Sequence, residues 1–132
     1  MTRREERDLL TTLIFELPFY GREDYRDIFE SEKQLKQISS EYIDKCYVGI
    51  IENLDDIDSK ISECAIRWKI TRLSKVTLAI FRVAVYEMIY DKLPCNIAIN
   101  EAVELAKKYD DDKSPSFVNG VLNKIAEKNG LK

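Results

Sequence analysis

A chain of 132 residues has the length of one domain and can bury roughly two-thirds of the surface that its unfolded form exposes. With 45% apolar and 34% charged residues but only four Gly and three Pro, it points to helices rather than to short strands and tight turns. A net charge of −3 excludes nucleic-acid binding through bulk charge alone, so any such contact must come from a local patch or through a partner.

Thr2-Arg3-Arg4-Glu5 reads as a capping box that opens a first helix. Leu9, Leu10, Leu13, Ile14 and Leu17 follow at helical spacing, and Pro18 ends the run. On a helical wheel Arg3, Arg4 and Arg7 share an arc of about 100° beside the apolar stripe. Phe15 falls within about 20° of Arg4, with Thr11 between them. Guanidiniums beside a ring outside the core form a surface able to pair phosphates and stack a base. The alternative is a solvated face laced with i,i+4 ion pairs.

Gly21 opens a loop, and Tyr25, Ile28, Phe29 and Leu35 give a helical stripe over residues 23–36. Ser39 or Ser40 can cap a third helix, carried by Ile43, Cys46, Tyr47, Ile50 and Ile51. Asp55, Asp56 and Asp58 place negative charge at the start of a fourth, whose apolar side is Ile57, Ile61, Cys64, Ala65 and Trp68. The run from Val76 to Tyr90 is then apolar on every side. Its polar members Thr77, Arg82 and Glu87 fall five apart and point in three directions. It is too short and too polar to cross about 30 Å of hydrocarbon, so it reads as the buried central helix, residues 75–91. Residues 96–109 form a sixth helix, with Ala98, Ile99, Ala102, Leu105, Ala106 and Tyr109 on one side and Glu101, Glu104, Lys107 and Lys108 on the other. Glu104 and Lys108 have the order of an i,i+4 pair. Ser114-Pro115 supplies an N-cap and a first-turn proline for the last helix, whose stripe is Phe117, Val118, Val121, Leu122 and Ile125. Gly120 within it implies the close approach of another backbone or a ligand. The expectation is a single all-α domain over residues 1–132, with helical halves at about 1–68 and 69–132.

The chemistry of a catalyst is missing. The chain has no His, no glycine-rich phosphate loop and no nucleophile elbow. Cys46, Cys64 and Cys95 are odd in number and widely spaced, which indicates buried thiols rather than disulfides or a metal knuckle. No enzyme, metal or cofactor is expected. The N-terminus lacks an apolar signal segment, so a cytoplasmic protein is expected, with no membrane association.

Trp68, the run RLSKVTLAIFRVAVYEMIYDKLP over 72–94, INEAVELAKKY over 99–109 and FVNGVLNKIA over 117–126 together resemble the NusB family of bacterial transcription antitermination factors. The resemblance implies seven helices in two small packed bundles. It also implies RNA binding together with NusE, a small-subunit ribosomal protein. Such complexes recognise boxA-type, single-stranded RNA in ribosomal transcripts and, with other Nus factors in the elongation complex, keep RNA polymerase processive. Carried over by residue, it assigns RNA contact to Arg3, Arg4, Arg7, Phe15 and Phe117, with Thr11 on the same face. Thr77, Leu78 and Phe81 fall on the central helix, in the half where the family meets NusE. Arg82 and Glu87 match the family's central pattern and are read as a buried ionic network. Glu5, Glu6 and Asp8 neutralise the N-terminal arm, Phe15 stands where tyrosine is common, and Ser116 stands where lysine is frequent. These departures imply weak RNA binding by the protein alone and a stronger dependence on its partner. The resemblance also leaves open a homodimer, a helical scaffold without RNA contact, and an accessory domain of a ribosomal-RNA methyltransferase.

Overall fold

The computed structural model describes residues 1–17, 24–65 and 72–132, which form seven α-helices and, among these residues, no strand. The helices are α1 (Arg3–Glu16), α2 (Tyr25–Lys36), α3 (Glu41–Glu52), α4 (Leu54–Cys64), α5 (Lys75–Ile89), α6 (Cys95–Tyr109) and α7 (Ser114–Lys128). Pro18, Gly21 and Trp68, to which the sequence assigned a helix stop, a loop and a core position, lie outside the described residues.

Local chemistry sets most helix starts. The Thr2 hydroxyl accepts the Glu5 amide at 3.1 Å and the Glu5 carboxylate accepts the Thr2 amide at 3.0 Å, completing the expected capping box. Ser40 caps α3 by accepting the Ile43 amide, and Ser74 caps α5 by accepting the Thr77 amide. At α7 the expectation is corrected. Ser114 is the first helical residue rather than the cap, and its hydroxyl donates to Asp110. The free amides of Lys113 and Ser114 are taken instead by the Asp111 carboxylate, at 2.9 and 3.0 Å.

Central helix α5 is buried without interruption from Thr77 to Met88. It packs against α1, α3, α4, α6 and α7, so α1, α3 and α4 meet the α6–α7 pair across it. Its three buried polar residues, Thr77, Arg82 and Glu87, are each matched by a different part of the chain. The Glu87 carboxylate receives Arg7 of α1, the Arg82 guanidinium reaches Asp58 of α4, and the Thr77 hydroxyl donates to Asp110 just past α6. A polar group in an apolar interior requires such a partner. The sequence reading of Arg82 and Glu87 as buried ionic groups holds, although the two do not pair with each other.

Packing is close where α3 crosses α5. A Cβ at Gly49 would lie 2.5 Å from the Tyr86 side chain, so any larger residue there would have to push the Tyr86 ring aside. Gly120 is the opposite case. It is exposed, as is Asn119, and nothing among the described residues lies within 4 Å of a Cβ built on it, so the expected close approach is not made by any of them. Helix α2 is held by side chains. Phe29 stacks on Tyr47 at 4.1 Å, while Lys36, Lys33 and Arg26 reach Glu16, Asp44 and Glu52. Leu35, expected on the α2 stripe, is 79% exposed. Among the described residues no helix is long and apolar enough to cross a membrane.

Candidate nucleic-acid interface

Helix α1 lays Leu10, Leu13 and Ile14 into the core, which leaves its flanks to be covered or exposed by its neighbours. Arg3 and Arg4 stand on the surface as expected. The Arg3 guanidinium lies 4.2 Å above the Tyr42 ring and 3.5 Å from Glu6. Arg4 forms a two-pronged pair with Glu101 of α6, both contacts at 3.1 Å, and its side chain is 66% exposed. The Glu101 hydrogen bonds, followed by its charge, raise the Arg4 pKa above the ordinary value.

Arg7 is placed differently from the expectation. It is only 6% exposed and donates to both oxygens of Glu87, at 2.7 and 2.9 Å. Burial opposes its charge, but the hydrogen bonds and charge of Glu87 prevail and hold its pKa above the ordinary value. The reason is topological: α5 crosses the flank of α1 that a wheel leaves open, and Glu87 must be neutralised there. Thr11 is buried for the same reason, with its hydroxyl donating to the Arg7 carbonyl at 2.8 Å. Both are almost fully buried, and each reaches only the wall of a cleft, Thr11 beside Phe15 and Arg7 beside Arg4.

Phe15 is half-buried and lines a cleft of about 380 Å³ with Thr12, Val76, Ala79 and Tyr109. Phe117 is half-buried and meets Phe81 edge-on, with centroids 5.7 Å apart. It lines a second cleft of about 290 Å³, together with Arg72, Asp110 and Lys113. The floor of this cleft is anchored by Asp110. Burial would raise its carboxyl, but hydroxyls of Thr77 and Ser114 hold it below the usual range. The expected partner surface is corrected. Thr77, Leu78 and Phe81 are all buried, Phe81 completely, because α5 is enclosed on that side as well.

Residues that the sequence reading left out of the site now border the exposed arginine. Lys108, at the end of α6, pairs with Asp8 of α1 at 2.5 Å, and Tyr109 donates its hydroxyl to the same carboxylate. Glu101 holds Arg4 and approaches Arg7 at 4.0 Å. The expected Glu104–Lys108 pair is replaced by Glu104–Lys107. Clustering of Lys107, Lys108 and Tyr109 was visible as a basic, ring-bearing helix end, but its neighbour on α1 was not. Among the described residues, no group of three or more His, Cys, Asp or Glu could hold a metal ion.

Seven helices on a buried spine, with cations and rings gathered where α1 meets α6, have clear counterparts. The chain shares a TM-score of 0.81 with a crystal structure of antitermination factors NusB and NusE in complex with dsRNA, at 29% identity over 97% of this chain and 99% of that one. A structure of T. maritima NusB gives a TM-score of 0.79 at 32% identity, over 97% of this chain and 92% of that one. The transcription antitermination protein NusB of Clostridium novyi (strain NT) is 40% identical over 131 residues, or 95% of this chain and 98% of the relative. That of Clostridium acetobutylicum is 41% identical over 129 residues, 95% of each. Fold and sequence together define an all-helical protein of the bacterial antitermination class. The NusB family model matches residues 4–127, and the chain belongs to the NusB family.

Proposed function

We propose that this protein is a non-enzymatic transcription antitermination factor that holds RNA jointly with ribosomal protein NusE. The observation that carries this reading is whole-chain likeness to NusB proteins, one of them seen with NusE and RNA. The preferred RNA is unpaired and boxA-type, as the family resemblance implies, and the action is cytoplasmic, within the elongation complex. Arg3, Arg4, Phe15 and Phe117 make the contacts from the surface. Arg7 and Thr11 act from beneath, by fixing α1 against α5.

The charge balance supports shared rather than solitary binding. Arg3, Arg4 and Lys108 each lie against a carboxylate of the same chain, so a phosphate gains less from them than from free cations. Titration of a fluorescent unpaired boxA-type RNA, with and without NusE, tests the reading. NusE should tighten binding at least tenfold, and added salt should weaken it. Equal affinity with and without NusE, together with indifference to salt, would overturn the proposal; a preference for duplex RNA would overturn its single-stranded part. Arg3→Glu with Arg4→Glu should abolish binding at an unchanged melting temperature.

A further inference from the structure

The exposed seam between α1 and the last turn of α6 joins Arg4 to side chains that have been given no RNA contact of their own, Lys108 and Tyr109. Lys108 lies 5.0 Å from the centre of the Tyr109 ring, and both side chains converge on Asp8 of α1. Two turns earlier on α6 Glu101 grips Arg4. Arg4, Asp8, Glu101 and Lys108 line a cleft of about 350 Å³ along with Glu5, Arg7 and Glu104, while Tyr109 lines the neighbouring Phe15 cleft. The exposures are asymmetric. The cations are the outer members, Arg4 at 66% and Lys108 at 59%, while Glu101 and Asp8 sit inside at 16% and 21%. An exposed cation on a long stem can swing to an incoming anion without unfolding anything, and an exposed pair resists this only weakly. Tyr109 is 41% exposed and stands across the Phe15 cleft, which supplies a second ring beside the cations.

Resting on the RNA-binding reading, we propose that the RNA surface extends from α1 onto the end of α6. Lys108 takes a backbone phosphate and Tyr109 stacks a base there, while Asp8 and Glu101 act as intramolecular competitors that the phosphates displace. The carboxylates occupy in the free protein the places that phosphate oxygens occupy in the complex, since both are anionic oxygen acceptors for the same donors. They discriminate against stray anions, because a single small anion must break a pair that is already formed, whereas an RNA strand engages both cations at once. Asp8 of the N-terminal arm thereby becomes part of the site and, with Glu101, sets its affinity.

The test is the same fluorescent RNA titrated into the full chain with NusE present, across a range of salt. Lys108→Gln should weaken binding about three- to tenfold and lower the slope of log affinity against log salt by about one. Asp8→Asn should tighten binding about three- to tenfold, and Glu101→Gln should do so independently through Arg4. Combining Asp8→Asn with Lys108→Gln should erase the tightening, because the carboxylate acts through that lysine. Tyr109→Leu should weaken binding with no change in salt slope. Wild-type affinity and slope in Lys108→Gln, or no tightening in both acidic variants, would overturn this extension and leave the binding by Arg3 and Arg4 intact. Absence of RNA binding by the unmodified protein with NusE would overturn the function itself.

Discussion

Two ion pairs on α1, one helical turn apart, show how position decides what the same chemistry does. Arg4–Glu101 and Arg7–Glu87 are both two-pronged guanidinium–carboxylate contacts of α1 with a distant helix. The first lies at the rim, where water competes for both partners and the pair contributes little to stability. The second lies in the interior, where each charge depends on the other to remain there at all. A guanidinium at the rim can change partners; one in the interior cannot. Recognition and stability have therefore been divided between neighbouring arginines of one helix.

The interior side of this contrast is the easiest to break. Arg7→Ala strands a buried carboxylate and should cost about 3–5 kcal/mol, read as a large fall in melting temperature by circular dichroism. A small fall would show that Glu87 is less enclosed than its 2% exposure states. Gly49→Ala drives a methyl group into the Tyr86 ring and should cost about 1–3 kcal/mol, with RNA affinity at saturating folded protein unchanged. Asp111→Ala removes the acceptor of two free amides at α7 and should cost about 1 kcal/mol in the same measurement.

Proton linkage sharpens the comparison further. With no His, stability should be flat from about pH 6 to 8. Asp110 and Asp56 are held below the usual carboxylate range, Asp56 by the Lys60 and Tyr90 hydrogen bonds. Their contribution is present above about pH 4, the unfolded value, and is lost as pH falls through the folded one. On the alkaline side burial pushes the Cys46 thiol up to about 12. The unfolded thiol ionises first, so stability should decline from about pH 9 upward. Urea midpoints across this range would show both shoulders. At the rim, Glu101→Gln has the smallest expected effect, a melting temperature within about 2 °C of the unmodified protein.

The sequence was most legible where one residue sufficed to carry a signal. The uninterrupted apolar run revealed α5, and Thr2 and Ser40 stand where their hydroxyls take free amides as expected, whereas the cap at Ser74 was not read. It was least legible at the candidate site, because a helical wheel gives each side chain a direction but not the neighbour that lies in it. Arg3, Arg4 and Arg7 share an arc, yet α5 covers only the last. Its partner is 80 residues away in the chain, and the partner of Arg4 is 97 away. Thr77 and Phe81 failed as surface residues for a related reason, since an all-round apolar helix has no outward face to offer. Lys108 was assigned to Glu104 and Tyr109 to the apolar side of α6, because Asp8, which gathers them, belongs to another helix.

The five-residue spacing of Thr77, Arg82 and Glu87 has a mechanical meaning. Because each engages a different neighbour, the central helix is keyed about its long axis as a shaft is by splines at unequal angles. An insertion of one residue before Thr77 would turn the following helix by about 100° and unseat all three matches together. An oily cylinder of Val, Ala and Ile has many nearly equivalent azimuths, and these polar teeth admit one of them.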